Sequence, residues 1–338
     1  MKRTVFLVLA VFSFFYANTA FAQRGSNKAL EVRLASFMPQ NSDWGRSLDR
    51  MAADWARVTN NRVTLRVIHN GVEGGERKML SSLSTDNIQA AVFSSFGLHN
   101  ICPSVMTLSV PFCIRNEAEL DTVLINTIPL LDAQIDKTKF AVLAWSKGGW
   151  VYIFSKDPIF APDDLRRHRM ATNPDDGNFN TAFKVMGFNL EETEITDIGT
   201  KVANNKVNAF YHAPAAVAPL FLYKQLKNML DVPIAPAIGA IVINGVTWNK
   251  ISDSDKNEIL RVTRKTAEEF GAIMPRTATS AISMMQRDGL KVNKPSFAQE
   301  QLWVAEVQKA MPSLLGNTFD PKLYGQINEI LRKYRSGQ

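Results

Sequence analysis

The segment that decides the fold lies in the middle of the chain, where W-S-K-G-G-W at residues 145–150 is followed by D-D-L-R-R-H-R-M-A-T-N at residues 163–173. Short apolar runs at 141–145 and 151–154 flank the first motif, and both are typical of β-strands. A helical pattern at 178–186 follows the second motif. Strands that alternate with helices indicate an α/β fold with a largely parallel sheet.

The same alternation extends to both sides of this segment. It predicts strands at 31–37, 63–68, 88–93, 207–211 and 240–244, and helices at 42–59, 76–84 and 213–226. A chain of 338 residues suggests two domains, and no repeat or low-complexity linker separates them. We therefore predict that the chain passes between the two domains more than once, as in a hinged clam-shell. Domain I is predicted at residues 23–147 plus 237–275, and domain II at residues 148–236 plus 276–338.

One long helix is predicted over residues 253–287. Ser252 is a suitable N-cap, and Asp253 and Asp255 favour the positive N-terminal end of the helix dipole. Pro275 lies inside the helix, where the missing N–H predicts a kink. Two separate helices that break at Pro275 are the alternative.

The first 22 residues are typical of an export leader. Lys2 and Arg3 precede an apolar run at 4–17, and Ala20-Phe21-Ala22 matches a small-x-small cleavage site. We expect cleavage after Ala22 and a periplasmic protein without a lipid anchor, because no cysteine follows that site. A retained N-terminal anchor is the alternative. No later apolar run is long enough to span a bilayer.

Charge and composition exclude several function classes. The net charge of +7 comes from scattered basic residues, so no nucleic-acid partner is expected. The one dense basic run, at 166–169, is interpreted as a solvated loop or a partner-facing patch. Cys102 and Cys113 either pair or are two buried free thiols. No metal site is predicted, because the four histidines have no metal-ligand spacing: His69, His99, His168 and His212. No cofactor and no enzymatic activity are predicted either, because the sequence has no G-x-S-x-G motif and no nucleotide-binding fingerprint.

The opening motifs, together with K-V-A-N-N-K-V-N-A-F-Y-H-A at 201–213, resemble those of the DctP-type solute-binding receptors of TRAP (tripartite ATP-independent periplasmic) transporters. That family carries a G-x-R turn, then D-L-K-G-x-K-I-R, then A-L-Q-x-G-x-V-D-G-x-E-N-P. Three further motifs have family counterparts in the same order: V-I-H-N-G-V-E-G-G-E at 67–76, L-S-V-P-F at 108–112 and V-T-W-N-K-I-S-D-S-D at 246–255.

The resemblance extends from Glu31 to about Gln308. It implies a two-domain periplasmic binding protein, type II-like, that is hinged as a clam-shell and has a long bent helix across both domains. It also implies a receptor that hands a small molecule to the permease subunits of a TRAP transporter. Some such systems add a periplasmic tetratricopeptide partner.

This chain departs from the family at the ligand-binding positions. The arginine of K-I-R, which clamps the ligand carboxylate in the family, falls at Ala171, and the G-x-R arginine falls at Trp150. Closing a cleft on a carboxylate without a cation costs several kcal/mol. We therefore predict a hydrophobic or amphipathic ligand. The other predicted ligand-binding residues are Phe37, Met38, Val72, Ser94, Asn173, Ile195, Phe210, Tyr211 and His212.

Other interpretations stay open at this point. Trp150 could fill the core and His212 could face solvent, and only one of Phe210 and Tyr211 should face the cleft because side chains alternate along a strand. A cation such as Lys147 or Arg169 could restore organic-acid binding. The protein could also be a ligand carrier or scaffold that acts through a periplasmic protein partner.

Overall fold

The computed structural model describes residues 29–174 and 176–337, without the side chain of Thr196. The predicted leader and its cleavage site after Ala22 lie outside these residues. The first half of the described chain forms β1 (Leu30–Ala35), α1 (Asp43–Val58), β2 (Val63–Ile68), α2 (Glu76–Ser84), β3 (Ala90–Ser94), α3 (Ser95–His99), a 3-10 segment (Pro103–Ser109), α4 (Glu117–Gln134) and β4 (Phe140–Ser155).

The second half forms α5 (Pro162–Arg166), β5 (Arg169–Thr172), α6 (Gly177–Val185), β6 (Asn189–Glu192), α7 (Ile198–Ala203), β7 (Ala209–His212), α8 (Pro214–Val217), β8 (Asn228–Leu230) and β9 (Ala235–Asn244). It ends with α9 (Gly245–Asn249), α10 (Asp253–Arg287), β10 (Lys291–Asn293), α11 (Phe297–Leu314) and α12 (Pro321–Arg335). Three short 3-10 segments, Ile195–Asp197, Ala218–Leu220 and Leu222–Lys224, complete it.

The strands form one mixed sheet in the order β2-β1-β3-β9-β4-β7-β5-β6, with β8 beside β4 and β10 beside β8. Pairs β1–β2, β1–β3, β5–β6 and β5–β7 are parallel. The antiparallel strands β4 and β9 join the two parallel groups. The predicted α/β class is confirmed.

Strand β4 connects the two halves of the sheet. The sequence predicted two strands here, but the structure has one strand of 16 residues that pairs with β9 up to Val151 and with β7 from Tyr152. A bulge between Lys147 and Trp150 absorbs the irregular K-G-G sequence. Gly149 has φ 91°, a backbone conformation that glycine adopts readily.

The long helix α10 has the predicted bounds and is continuous through Pro275. Ser252 caps it by accepting a hydrogen bond from the Asp255 amide. Phe270 belongs to an apolar core with residues of β1 and α1, whereas Met285 belongs to the core around β7. The helix therefore contacts both halves of the sheet, as the family resemblance implied.

The helix predicted over residues 213–226 is wrong. The structure has a four-residue helix, α8, followed by two 3-10 segments. Two prolines, Pro214 and Pro219, remove N–H donors from this region. Phe221 adopts the left-handed conformation, with φ 54°, which ends regular helix here.

The two cysteines are free thiols, which settles the alternative left open by the sequence. Cys102 is buried beneath α4, and Cys113 is half-buried near the C-terminal helix. Burial raises the pKa of each thiol to about 11, so neither is a reactive thiolate at neutral pH.

The C-terminal helix α12 packs against α4 through Leu323, Ile327 and Leu331, which are all buried. The predicted boundaries place α12 in domain II, yet its partner α4 lies within the segment assigned to domain I. Arg335 donates to both carboxylate oxygens of Glu119 at 2.8 Å, and Glu119 is 4% exposed. The last helix therefore packs on α4, a helix that precedes β4 in the chain.

We expect Arg335→Ala to lower the free energy of unfolding by about 1–3 kcal/mol, because it leaves a buried carboxylate without its charged donor. Burial alone would raise the pKa of Glu119, but the hydrogen bonds from Arg335 and from the Arg115 amide hold it below its usual value. This stabilisation should therefore be lost as the pH falls through that lowered pKa. Urea unfolding of Arg335→Ala beside the exposed control Arg332→Ala measures it, and equal stability of the two variants would contradict this assignment.

Candidate functional site

The strand registers bring the carboxyl ends of both parallel groups to the middle of β4. Ser94, the last residue of β3, pairs with Gly239 of β9, and Gly239 pairs with Ser146 of β4. His212, the last residue of β7, pairs with Tyr152 of β4. The carboxyl ends of both parallel groups thus point toward the stretch of β4 between Ser146 and Tyr152. Ligands of open α/β sheets bind outside such strand ends.

The topology brings most of the predicted ligand-binding residues to these two edges. Residues of the first group lie at or just after the ends of β1, β2 and β3, and residues of the second group at or just after the ends of β5, β6 and β7. They are Phe37, Met38, Val72 and Ser94 on one side, and Asn173, Ile195 and His212 on the other.

Trp150 lies in the stretch of β4 between the two edges and is half-buried. Its indole Nε1 donates to Glu117 Oε1 at 2.6 Å. Glu117 also accepts from Lys147 Nζ at 3.0 Å, and Lys147 reaches Asp121 at 2.6 Å. The indole is therefore held in one orientation by a carboxylate whose own position is fixed by an ion pair.

Ala171 and Phe210 are more deeply placed than the sequence predicted. Ala171 is fully buried on β5, pairs in register with Phe210 on β7, and shares an apolar core with Phe210 and Phe154. Phe210 is 5% exposed. These two side chains do not line an open surface.

Tyr211 points to the opposite face of β7 from Phe210, as alternation along the strand predicted. It is also buried, so neither residue is open to the cleft. Its hydroxyl donates to Asp176 Oδ2 at 2.5 Å, and its ring stacks on Phe179 with centroids 5.3 Å apart.

His212 is half-buried, and its Nδ1 accepts from the Ala213 amide at 2.8 Å. This bond places the proton of the neutral ring on Nε2. Burial lowers the pKa of His212 to about 4. The ring is therefore neutral at pH 7 and offers a hydrogen-bond donor but no charge.

On the domain I side the predicted residues present apolar surface. Phe37 is 39% exposed and Val72 is 71% exposed, whereas Met38 is half-buried against the domain I core. The Ser94 hydroxyl donates to Glu76 Oε2 at 2.8 Å, and the Ser94 amide donates to Glu76 Oε1 at 2.6 Å. The hydroxyl of Ser94 is thus used within domain I. Opposite, Ile195 is 45% exposed.

Neither cation proposed as a replacement clamp is suitably placed. Lys147 is paired with two carboxylates, so this cluster carries an excess of negative charge. Arg169 begins β5 and lies at the amino end of that strand, away from the carboxyl edge. Burial, together with the carboxylates of Asp231 and Glu117, raises the pKa of Tyr152 to about 12, which indicates a negative field beside the strand.

A group of buried polar residues lies at the end of β5 and was not predicted from the sequence. Asp176, Thr172 and Asn180 are each at most 3% exposed, and they lie beside Tyr211. Asp176 would have been found as a candidate N-cap for the predicted helix at 178–186, but a cap is usually a solvent-exposed structural residue. Its burial follows from the pairing of β5 with β7, which no local pattern reveals.

Other site types receive no support within residues 29–174 and 176–337. There, His, Cys, Asp and Glu form no cluster of three that could hold a metal ion. Within the same ranges, every helix is too short or too polar to cross a membrane. A surface groove at α11, lined by Arg166, Glu306 and Lys309, contains none of the predicted site residues.

Comparisons with known proteins agree on one family. The family model described as bacterial extracellular solute-binding protein, family 7 (DctP), matches residues 34–316. The 2,3-diketo-L-gulonate-binding periplasmic protein YiaO of Escherichia coli K12 is 21% identical over 238 residues, covering 69% of this chain and 72% of that protein.

Solved TRAP periplasmic solute-binding proteins share the fold. One from Chromohalobacter salexigens, with bound D-glucuronate, has a TM-score of 0.80 at 16% identity and covers 89% of this chain and 99% of its own. One from Haemophilus influenzae, with bound L-gulonate, has a TM-score of 0.79 at 18% identity and covers 91% of this chain and 100% of its own. Because the family model spans most of the sequence, the chain belongs to the DctP family, the non-enzymatic periplasmic receptors that deliver small molecules to the membrane permease of TRAP transporters.

Proposed function

We propose that this receptor captures a hydrophobic or amphipathic small molecule and delivers it to the permease subunits of a TRAP transporter. The observation that carries the proposal is the state of the two positions where the family resemblance places arginines. Ala171 is buried among aromatic side chains, and Trp150 is tied to a carboxylate. Neither can neutralise a ligand carboxylate.

The electrostatic surroundings support the same ligand class. Glu117 and Asp121 share a single lysine, and His212 is neutral. An organic acid that entered here would lose water without gaining a charged partner, which costs several kcal/mol. An uncharged ligand carries no such penalty.

The apolar surface at the two edges supplies a favourable contribution instead. A tryptophan side chain offers about 150–250 Å² of surface, worth roughly 4–6 kcal/mol as an upper bound when it is fully covered. Phe37, Val72 and Ile195 extend this surface on both sides of the cleft. Together they favour a ligand with an aliphatic or aromatic body.

An organic acid is the second candidate, favoured by the ligands that the similar proteins carry. The Escherichia coli relative is a 2,3-diketo-L-gulonate-binding protein, and the two solved structures hold bound D-glucuronate and L-gulonate. To bind such a ligand, this chain would have to free Lys147 from Glu117 and Asp121, or use a cation elsewhere.

Native mass spectrometry of gently purified, exported protein tests the proposal. We expect a retained mass that dissociates in organic solvent and partitions into an apolar phase. The spectrum of the Trp150→Ala variant should lack this mass. A retained sugar acid or dicarboxylate would contradict the proposal and support the second candidate.

A further inference from the structure

The polar residues at the carboxyl end of β5 make a compact group. Thr172 ends β5, and the register Ala171↔Phe210 places Thr172 beside Tyr211 on the neighbouring parallel strand. Asp176 accepts from the Tyr211 hydroxyl, and its amide donates to the Asn173 carbonyl at 3.0 Å. The Asn180 side-chain amide donates to that same carbonyl at 3.0 Å.

Three oxygen atoms in this group have unused capacity to accept hydrogen bonds. Thr172 Oγ1 and Asn180 Oδ1 are buried without a partner in the described part of the chain. The orientation of the Asn180 amide is fixed, because its nitrogen is the atom that donates to Asn173. The partners of the Asp176 carboxylate in the same part of the chain are neutral: the Tyr211 hydroxyl and the Phe179 amide.

A buried carboxyl group without a counter-ion and two unpartnered oxygens are unfavourable for a protein interior. Burial raises the pKa of Asp176 to about 7, although the hydrogen bonds from the Tyr211 hydroxyl and the Phe179 amide act in the opposite direction. A primary ammonium group has three donors and no acceptor, so it matches three acceptors and supplies the charge. The stacked rings of Phe179 and Tyr211 add an aromatic surface next to it, as cation binding favours.

We propose that Thr172, Asp176 and Asn180 form a subsite for the primary ammonium group of an amphipathic ligand. This inference rests on the proposed function and narrows its ligand class to amines with an aromatic or aliphatic body. The subsite lies at the carboxyl end of β5, next to the exposed residues Asn173 and Pro174.

Isothermal titration with three probes of similar body tests the subsite: phenethylammonium, 2-phenylethanol and 3-phenylpropanoate. In the wild type we expect the ammonium to bind at least tenfold more tightly than the alcohol, and the carboxylate to bind most weakly. Asp176→Asn keeps the shape of the side chain and should reduce the ammonium preference to within about twofold, while alcohol binding remains.

One control variant separates charge from folding. Asp255→Asn removes a carboxylate of similar burial, paired with Arg62 at the start of α10, and should leave the ammonium preference unchanged. Asp176→Asn should also raise the melting temperature at pH 8, where the wild type buries the ionised carboxylate.

The outcomes distinguish the two proposals. If the alcohol binds as tightly as the ammonium, or if Asp176→Asn keeps the preference, the ammonium subsite is wrong and the apolar ligand class still stands. If no saturable binding of phenethylammonium occurs up to millimolar concentration, the subsite is also wrong. If 3-phenylpropanoate binds most tightly, the proposed function itself fails.

Discussion

Replacement of Trp150 by alanine is expected to weaken binding of the apolar ligand by about 2–4 kcal/mol, a loss of roughly 30- to 1000-fold in affinity. The indole is held toward Glu117 by a hydrogen bond of 2.6 Å in the stretch of β4 where the two strand edges meet. A side chain that is fixed before binding loses little entropy when the ligand covers it. Titration calorimetry of wild type and variant with the ligand identified by mass spectrometry gives the difference.

The chain offers a matched control for this variant. Trp145 lies on the same strand, is also half-buried, and donates to Asp132 of α4 at 2.9 Å, as Trp150 donates to Glu117. It pairs with Ala240, on the domain I side of the cleft stretch. Trp145→Ala should lower stability but leave affinity within about twofold. Equal losses of affinity in the two variants would show that Trp150 acts through general packing.

Restoring the family arginine is expected to damage this protein. Ala171→Arg should lower the free energy of unfolding by about 3–5 kcal/mol, because the guanidinium would lie unpaired among Phe154 and Phe210. Ala171→Met adds length without charge and should cost about 1–3 kcal/mol by overpacking. Chemical denaturation of both variants separates the two effects.

A stable Ala171→Arg protein that gains micromolar affinity for a sugar acid would contradict this account. Such a result would mean that the rest of a carboxylate-binding site is intact around position 171 and that only the arginine has been lost. The core around Ala171 would then have to rearrange to give the guanidinium access to the cleft.

The elements predicted well from the sequence are those with strong local signals. The bounds of α10 follow from the Ser252 cap and its acidic first turn, which no tertiary contact has to override. The strand β2 shows clear alternation and was predicted with its observed bounds. The family resemblance of the ordered motifs extended these local signals to the whole fold.

Predictions failed where long-range pairing or backbone strain decides the structure. The K-G-G sequence alone predicts a break between two strands, but β4 continues through it because it pairs with β9 on both sides of a bulge. The alanine-rich composition after Ala213 favours helix, yet Pro214, Pro219 and the left-handed Phe221 prevent one.

The sequence placed the nominated residues near strand ends, but it did not predict how deeply each of them is buried. Strand ends were identified from the motifs, and the structure brings most of the nominated residues to two edges beside Trp150. Burial was not predictable, so Ala171, Phe210 and Tyr211 are core residues rather than an open lining. Asp176 was missed because its hydrogen bond to Tyr211 joins residues 35 positions apart.

The central claim of the proposal is that neither Lys147 nor Arg169 replaces the family arginine as a partner for a ligand carboxylate. It is tested most directly by titrating the wild-type protein, freed of any retained ligand, with D-glucuronate and L-gulonate. The account predicts no saturable binding of either acid up to millimolar concentration, under conditions in which the retained apolar ligand binds with micromolar affinity or better. Micromolar binding of either acid, unchanged in Trp150→Ala, would contradict it.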